Sequence, residues 1–164
     1  MKSLRWKWQW IVVGIVLLSG YPAKRLPAGG ALVVDSHGTP MVWNVNPIPY
    51  HYDRGKLGEH TNAEARDLTD RAFARWAVIP TSVLTFEAAG MLEENITEDN
   101  IAEIANTCND LNEIIFDEDG AIIDEILGRG SSFVVMGFAG PTCILTSSGR
   151  VFLAEGWAVL NGGF

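Results

Sequence analysis

The stretch from Pro47 to Glu87 constrains the fold most, because its sequence predicts a strand, a loop, a helix, a turn and a second strand in that order. Thr61 and Glu64 have the spacing of a capping box, in which the Thr61 hydroxyl accepts from the Glu64 amide and the Glu64 carboxylate accepts from the Thr61 amide. Pro80 has no amide donor and disfavours a helical conformation at the residue before it. The sequence therefore predicts a helix from Thr61 to Val78.

One face of this helix is expected to be buried, because its apolar side chains recur at helical spacing. These side chains are Ala65, Leu68, Ala72, Phe73 and Trp76. The outer face carries Glu64, Arg66, Asp67, Asp70, Arg71 and Arg75. The flanking stretches Ile48–Tyr52 and Val83–Glu87 are short and rich in β-branched or aromatic residues, so we expect them to pair in one sheet.

Four features of this region follow one another along the chain. They are Asn46-Pro47-Ile48-Pro49-Tyr50, a glycine-containing loop, the capped helix with Phe73-Ala74-Arg75-Trp76 near its end, and the strand Leu84-Thr85-Phe86. In this order they resemble the opening of a matrixin-like zinc metallopeptidase domain of the metzincin type, and the resemblance covers Trp43 to Phe164. It implies an exported zinc-dependent metalloendopeptidase that acts on a protein or peptide substrate, with zinc as the cofactor of the full-length family member.

Further strands are expected in the second half of the chain. Ser131–Met136 predicts a strand that continues into Gly137–Pro141, and this block resembles the loop before the edge strand in metzincin-like domains, where a substrate lies antiparallel to the sheet. Arg150–Phe152 and Gly156–Asn161 predict a final hairpin. The fold class predicted is α+β: a twisted mixed sheet of about four or five strands with one long helix packed on it, forming an incomplete metzincin-like domain.

The first 23 residues predict a secretory signal peptide. Its positive region contains Lys2, Arg5 and Lys7, and its apolar region is Trp10–Leu18. This apolar region is too short to span a bilayer comfortably, so no stable membrane insertion is expected after cleavage. We expect a secreted or periplasmic protein, with an uncleaved membrane anchor as the alternative. Residues 24–42 then form a leader, and residues 43–164 form the partial metallopeptidase-like domain.

The charge of the chain is unevenly distributed. Five of the twelve basic residues precede Asp35, whereas all twenty acidic residues lie at or after it, so the remainder has a net charge of −13. A surface this acidic repels phosphate backbones. The charge therefore argues against a nucleic-acid partner.

Two cysteines, Cys108 and Cys143, lie beyond the signal peptide. Cys108 belongs to a polar stretch after Glu87, which predicts a surface insertion with a short acidic helix. Export would place both thiols in an oxidising compartment, where they can form a disulfide. Two buried thiols are the alternative, and the sequence leaves both open.

Three aspartates give the chain a calcium hypothesis. Asp117 and Asp119 follow the apolar residues Ile114–Phe116 and precede Gly120, and Asp124 comes shortly afterwards. Clustered carboxylate oxygens suit calcium, although the spacing is not that of an EF-hand loop. The alternative is structural: the aspartates hydrogen-bond the turn and cap a following helical turn.

Zinc ligands are the feature that the sequence lacks. The resembled enzymes carry His-Glu-x-x-His on a helix, with two ligands on one face and the glutamate as general base. This chain has only His37, His51 and His60, which show no such spacing, so we assign no catalytic residue and no zinc ligand. We expect an amino-terminal fragment of a metallopeptidase that is inactive without the zinc-binding helix. The alternative is a non-enzymatic exported module that binds calcium or an extended peptide at its sheet edge.

Overall fold

The computed structural model describes residues 33–164. The strands in this part of the chain are β1 (Val42–Trp43), β2 (Ile48–Tyr52), β3 (Phe86–Met91), β4 (Glu113–Asp117), β5 (Gly137–Ser147) and β6 (Arg150–Asn161). The helices are α1 (Asn62–Ala77), α2 (Ile101–Asn106) and α3 (Ala121–Leu127), and Ser131–Phe133 forms a 3₁₀ turn. None of these helices has the length and apolar character needed to cross a membrane. The signal peptide predicted for residues 1–23 lies outside the described residues.

The six strands form one sheet in which a single strand is antiparallel to the others. The order is β1-β6-β4-β2-β3, and β5 pairs with the other side of β6. The pair β5–β6 is antiparallel, and every other pair is parallel. Strand β6 is long enough to pair with β1 through Phe152 and Leu153 and with β4 through Ala158–Asn161.

The predicted α+β fold class is wrong, because this arrangement is an α/β fold. A sheet of six strands, parallel apart from one, replaces the predicted mixed sheet of four or five strands, and three helices replace the single long helix. The short helix expected in a surface insertion is α2, which lies in the connection between the parallel strands β3 and β4. Parallel strands need such crossovers. The two-residue strand β1 is too short to leave a periodic pattern in the sequence.

Both faces of the sheet are covered by buried side chains. One buried cluster contains Leu92, Ile96, Ile101, Ile115, Ile122, Ile123 and Val159. The other contains Tyr50, Tyr52, Ala65, Ile114 and Phe116. Successive residues of a strand point to opposite faces, so Ile114 and Ile115 belong to different clusters. Strand β4 is therefore the centre of the core, and all five of its residues are buried.

The start and end of α1 agree with the prediction. Both hydrogen bonds of the capping box between Thr61 and Glu64 are present, and the helix ends at Ala77, before Pro80. The prediction of its buried face is right for Ala65 and for Phe73, which packs against a buried cluster, and wrong for Trp76. Ala65 and Thr69 are buried, whereas Trp76 is 64% exposed.

Contacts with strand β2 determine which face of α1 turns inward. The Asp70 carboxylate accepts hydrogen bonds from the hydroxyls of Tyr50 and Tyr52. The Phe73 ring packs between the rings of Tyr50 and Phe86, with centroids 4.4 and 4.5 Å away. These contacts turn Phe73 toward the sheet and leave Trp76 at the surface.

Two loops approach each other closely through glycines. A Cβ atom added to Gly58 would overlap the backbone of Gly162, and one added to Gly162 would overlap the backbone of Gly58. Gly58 also has a φ of +58°, a conformation that other residues rarely adopt. The end of β6 therefore packs directly on the loop between β2 and α1.

Candidate functional site

Strand β5 forms one edge of the sheet. It pairs with β6 from Gly137, opposite Leu160, to Ser147, opposite Arg150. Among residues 33–164, no other strand pairs with β5. An edge strand presents unpaired backbone donors and acceptors along its free side. An extended peptide can add to such an edge as a further strand.

The β5 edge is uncharged along its whole length. Edge strands that avoid pairing usually carry charged side chains, proline or bulges. Strand β5 has no charge, but Pro141 lacks a donor and the register with β6 shifts on both sides of Cys143. The bulge divides the edge into two regular stretches, Gly137–Gly140 and Ile144–Ser147. Ile144 and Leu145 are about half exposed on the second stretch.

The opposite edge of the sheet, strand β3, is less suited to pairing. It is six residues long and carries the charged side chain Glu87. Its register with β2 is irregular between Tyr50 and His51, next to Gly90, which has a φ of 129°. Of the two long edges of the described sheet, β5 offers the longer uncharged surface.

A disulfide and a buried glutamate lie at the middle of the β5–β6 pair. Cys143 is joined to Cys108, with 5.6 Å between the two Cα atoms, so the structure adopts one of the two alternatives that the sequence left open. The buried carboxylate of Glu155, on β6 opposite Cys143, accepts hydrogen bonds from the amides of Asn109 and Asp110. The loop before β4 is thereby attached covalently to the edge strand β5 and by hydrogen bonds to its neighbour β6.

The segment before β5 is fixed by two side chains. The Asp124 carboxylate accepts from the amides of Gly130 and Ser132 at 3.0 and 2.8 Å. The Asn161 side-chain amide donates to the carbonyls of Ser132 and Val135, both at 2.7 Å. The hydrogen bonds from these two amides lower the pKa of the Asp124 carboxyl.

The strand predicted for Ser131–Met136 is therefore wrong. This segment is a 3₁₀ turn followed by irregular backbone, and β5 begins at Gly137. The side chains of Asp124 and Asn161 take up backbone groups that a strand would need for its ladder. No sequence pattern indicated that Asn161 would bond this segment, because Asn161 lies at the end of an apolar strand far along the sequence.

The three aspartates of the calcium hypothesis do not converge on one point. Asp117 accepts from the amides of Gly120 and Ile123, and Asp119 accepts from the amide of Ala121. Asp117 and Asp119 line a cavity of about 250 Å³ together with Glu98 and Glu118. Asp124 is not part of that lining. Burial raises the pKa of the Asp117 carboxyl. The hydrogen bonds match the structural alternative, and calcium binding stays a prediction.

The residues present in the described part of the chain do not fit a zinc site. His37 lies in the turn after Asp35, His51 lies in β2, and His60 lies in the loop before α1. None of them belongs to a group of ligands close enough to share an ion. The side chains of Cys108, Cys143 and Glu155 do lie close enough together to share an ion. Both sulfurs are in the disulfide, however, and the Glu155 oxygens accept hydrogen bonds from backbone amides.

An apolar cavity of about 360 Å³ lies between α1 and the sheet. Its lining includes Trp43, Tyr50, Phe73, Pro141 and Trp157. The side chain of Asn112 also belongs to this lining, and it is already bonded to the Pro49 carbonyl and the Gly156 amide. The polar atoms of Asn112 and the Tyr50 hydroxyl, which donates to Asp70, are therefore already used within the fold.

Comparisons with family models, with curated proteins and with solved structures found no match to this chain. The resemblance to matrixin-like domains stays a prediction that depends on the residues quoted for it. The site must accordingly be interpreted from its own geometry.

Proposed function

We propose that this chain holds an extended peptide along the outer edge of β5, as the substrate-binding part of an exported zinc metalloendopeptidase. The zinc-binding helix would be contributed by residues other than those described. In this proposal the described residues bind and orient the peptide and perform no step of bond cleavage.

The observation that carries the proposal is the free edge of β5. This edge runs for eleven residues without a charge, and no other described strand covers it. A peptide paired with it gains main-chain hydrogen bonds whatever its sequence, as a peptidase substrate site requires. Antiparallel pairing is favoured because it is slightly more stable per residue than parallel pairing.

The fixed backbone of β5 also favours this function. The disulfide joins the middle of the strand to Cys108, and Glu155 on β6 holds the adjacent amides of Asn109 and Asp110 before any peptide arrives. A preorganised strand loses little conformational entropy when it pairs. The edge is therefore a preorganised template for pairing along its two regular stretches, Gly137–Gly140 and Ile144–Ser147.

The test uses purified chain without its signal peptide and a fluorescent, uncharged peptide of about the length of β5. We expect saturable binding, and we expect Ile144→Lys with Leu145→Lys to weaken it about tenfold or more, because charged side chains oppose pairing at an edge. Val83→Lys is the matched control, since Val83 is 84% exposed and lies outside β5. The same preparation should leave casein intact and bind no stoichiometric zinc.

Three results would count against the proposal. If the peptide shows no saturable binding, or if Val83→Lys weakens binding as much as the two β5 substitutions do, the β5 edge is not the peptide-binding site. Cleavage of casein by the purified chain would mean that these residues do carry the chemistry.

A non-enzymatic peptide-binding module is the second candidate, and the separate positions of His37, His51 and His60 favour it. The two candidates share the β5 edge and differ in what accompanies it. Reading the genomic sequence after Phe164 in all three frames distinguishes them, because the peptidase needs His-Glu-x-x-His followed by a glycine and a third ligand.

A further inference from the structure

Three bulky apolar side chains are strongly exposed next to the start of β5. Phe133, Val134 and Met136 are 78%, 77% and 72% exposed. We call these three residues the apolar patch. Exposed groups of large apolar side chains commonly mark binding surfaces.

The backbone of the apolar patch is held in place. Asp124 fixes the amide of Ser132, and Asn161 fixes the carbonyls of Ser132 and Val135. Val135 itself packs against a buried cluster. The exposure of the patch is thus a property of an anchored segment, and its side chains are displayed before any partner binds.

The direction of β5 determines which end of a bound peptide reaches the patch. A peptide antiparallel to β5 has its amino-terminal end beside Ser147 and its carboxyl-terminal end beside Gly137. Residues that follow the paired stretch would then lie beyond Gly137, on the side of Met136 and the anchored segment before it. No charged residue occurs in the sequence from Ser131 to Gly149, so the strand and the patch are built from uncharged side chains.

We infer that the apolar patch selects peptides that carry large apolar side chains just after the residues paired with β5. The substrate class is an uncharged extended peptide with a bulky apolar carboxyl-terminal part. This inference rests on the proposed function, and it adds specificity to an edge that pairs with backbone alone.

The test compares two peptides with blocked ends and identical first halves. One ends in leucine and phenylalanine, and the other ends in serine and glycine. We expect the apolar peptide to bind about tenfold more tightly, because two side chains leave water. A variant with Phe133→Ser, Val134→Ser and Met136→Ser should bind both peptides with the weaker affinity.

A matched control changes three other exposed apolar residues, with Trp76→Ser, Val78→Ser and Val83→Ser. These residues are 64%, 74% and 84% exposed and lie outside the β5 edge. The control should keep the preference for the apolar peptide. A third peptide with its sequence reversed places the apolar residues at the other end and should lose the preference.

The possible failures can be separated. If both peptides bind equally to the unchanged protein, or if the preference survives in the patch variant, the inference is wrong while the β5 edge stands. If neither peptide binds, the proposed function itself fails. A patch variant that changes only the oligomeric state in sedimentation would make the patch a contact between copies and would overturn the inference.

Discussion

Four carboxylate side chains are buried in the core of this protein. Asp53, Glu113, Asp117 and Glu155 are all at most 4% exposed. Asp53 accepts from the amides of Arg54 and Ile96, and Glu155 accepts from two further amides. Burying a charge is costly unless such bonds compensate for it. Glu113 is the least compensated of the four, since one of its oxygens has no partner within the described residues.

Glu113 should give stability a specific dependence on pH. Burial raises the pKa of its carboxyl in the folded state, and the nearby Glu155 adds to this effect. A raised folded pKa contributes stability that is full below the unfolded pKa, about 4.3, and is lost as pH rises through the folded value. We expect Glu113→Gln to match the wild type in urea midpoint at pH 4 and to exceed it at pH 8. Parallel profiles for the two proteins would contradict this assignment.

The sequence predicted part of the hydrogen bonding of these buried carboxylates. Asp117 precedes a glycine turn, so its role as an acceptor for the following amides was one of the two alternatives available. Glu113 and Glu155 were not predicted, because each lies within an apolar strand where period-two patterns carry no information about hydrogen bonds. Their partners come from the loop at Asn109 and Asp110, which only the tertiary fold brings close.

Helix α1 shows what local signals determine at the scale of one element. Its start depends on Thr61 and Glu64, which lie three residues apart, so its boundary was predictable. Its orientation depends on Asp70 and Phe73 meeting side chains of β2 and β3, so the burial of Ala65 and Phe73 was predicted but the exposure of Trp76 was not. The apolar stripe through Leu68 and Trp76 has the same spacing as the face that is actually buried.

Three substitutions in α1 should separate capping from burial. Thr61→Ala should cost about 1 kcal/mol of unfolding free energy through the lost cap. Phe73→Ala should cost about 2 kcal/mol or more, because its ring packs between two others. Trp76→Ala should cost less than about 0.5 kcal/mol, since it is a surface substitution. Urea unfolding measures all three, and a Trp76 cost equal to that of Phe73 would mean that the helix is turned differently.

The whole molecule combines an acidic surface with one covalent crosslink. Residues 33–164 include all twenty acidic residues, so their mutual repulsion opposes the compact state. The disulfide joins two positions 35 residues apart and links the segment after α2 to the β5 edge. A crosslink of this span stabilises the fold chiefly by restricting the unfolded chain.

Removal of the disulfide should lower stability substantially. The variant with Cys108→Ser and Cys143→Ser should lose about 3 to 4 kcal/mol of unfolding free energy, the amount expected for a closed loop of this length. Chemical denaturation of the oxidised protein, the reduced protein and the variant measures the loss. The reduced protein and the variant should have the same unfolding free energy. Equal stability of all three proteins would show that the disulfide does not stabilise the fold.

The contact between Gly58 and Gly162 has a consequence for how this sequence can vary. Neither position has room for a side chain, and the two loops meet only because both lack one. A change at one of them cannot be rescued by a smaller residue at the other, since glycine is already the smallest. Gly149, in the turn between β5 and β6, has open space around it and can give way to asparagine or aspartate, which tolerate its positive φ. Substitution is therefore tolerated at Gly149, in the turn beside the edge strand, and excluded at Gly58 and Gly162, where the two loops meet.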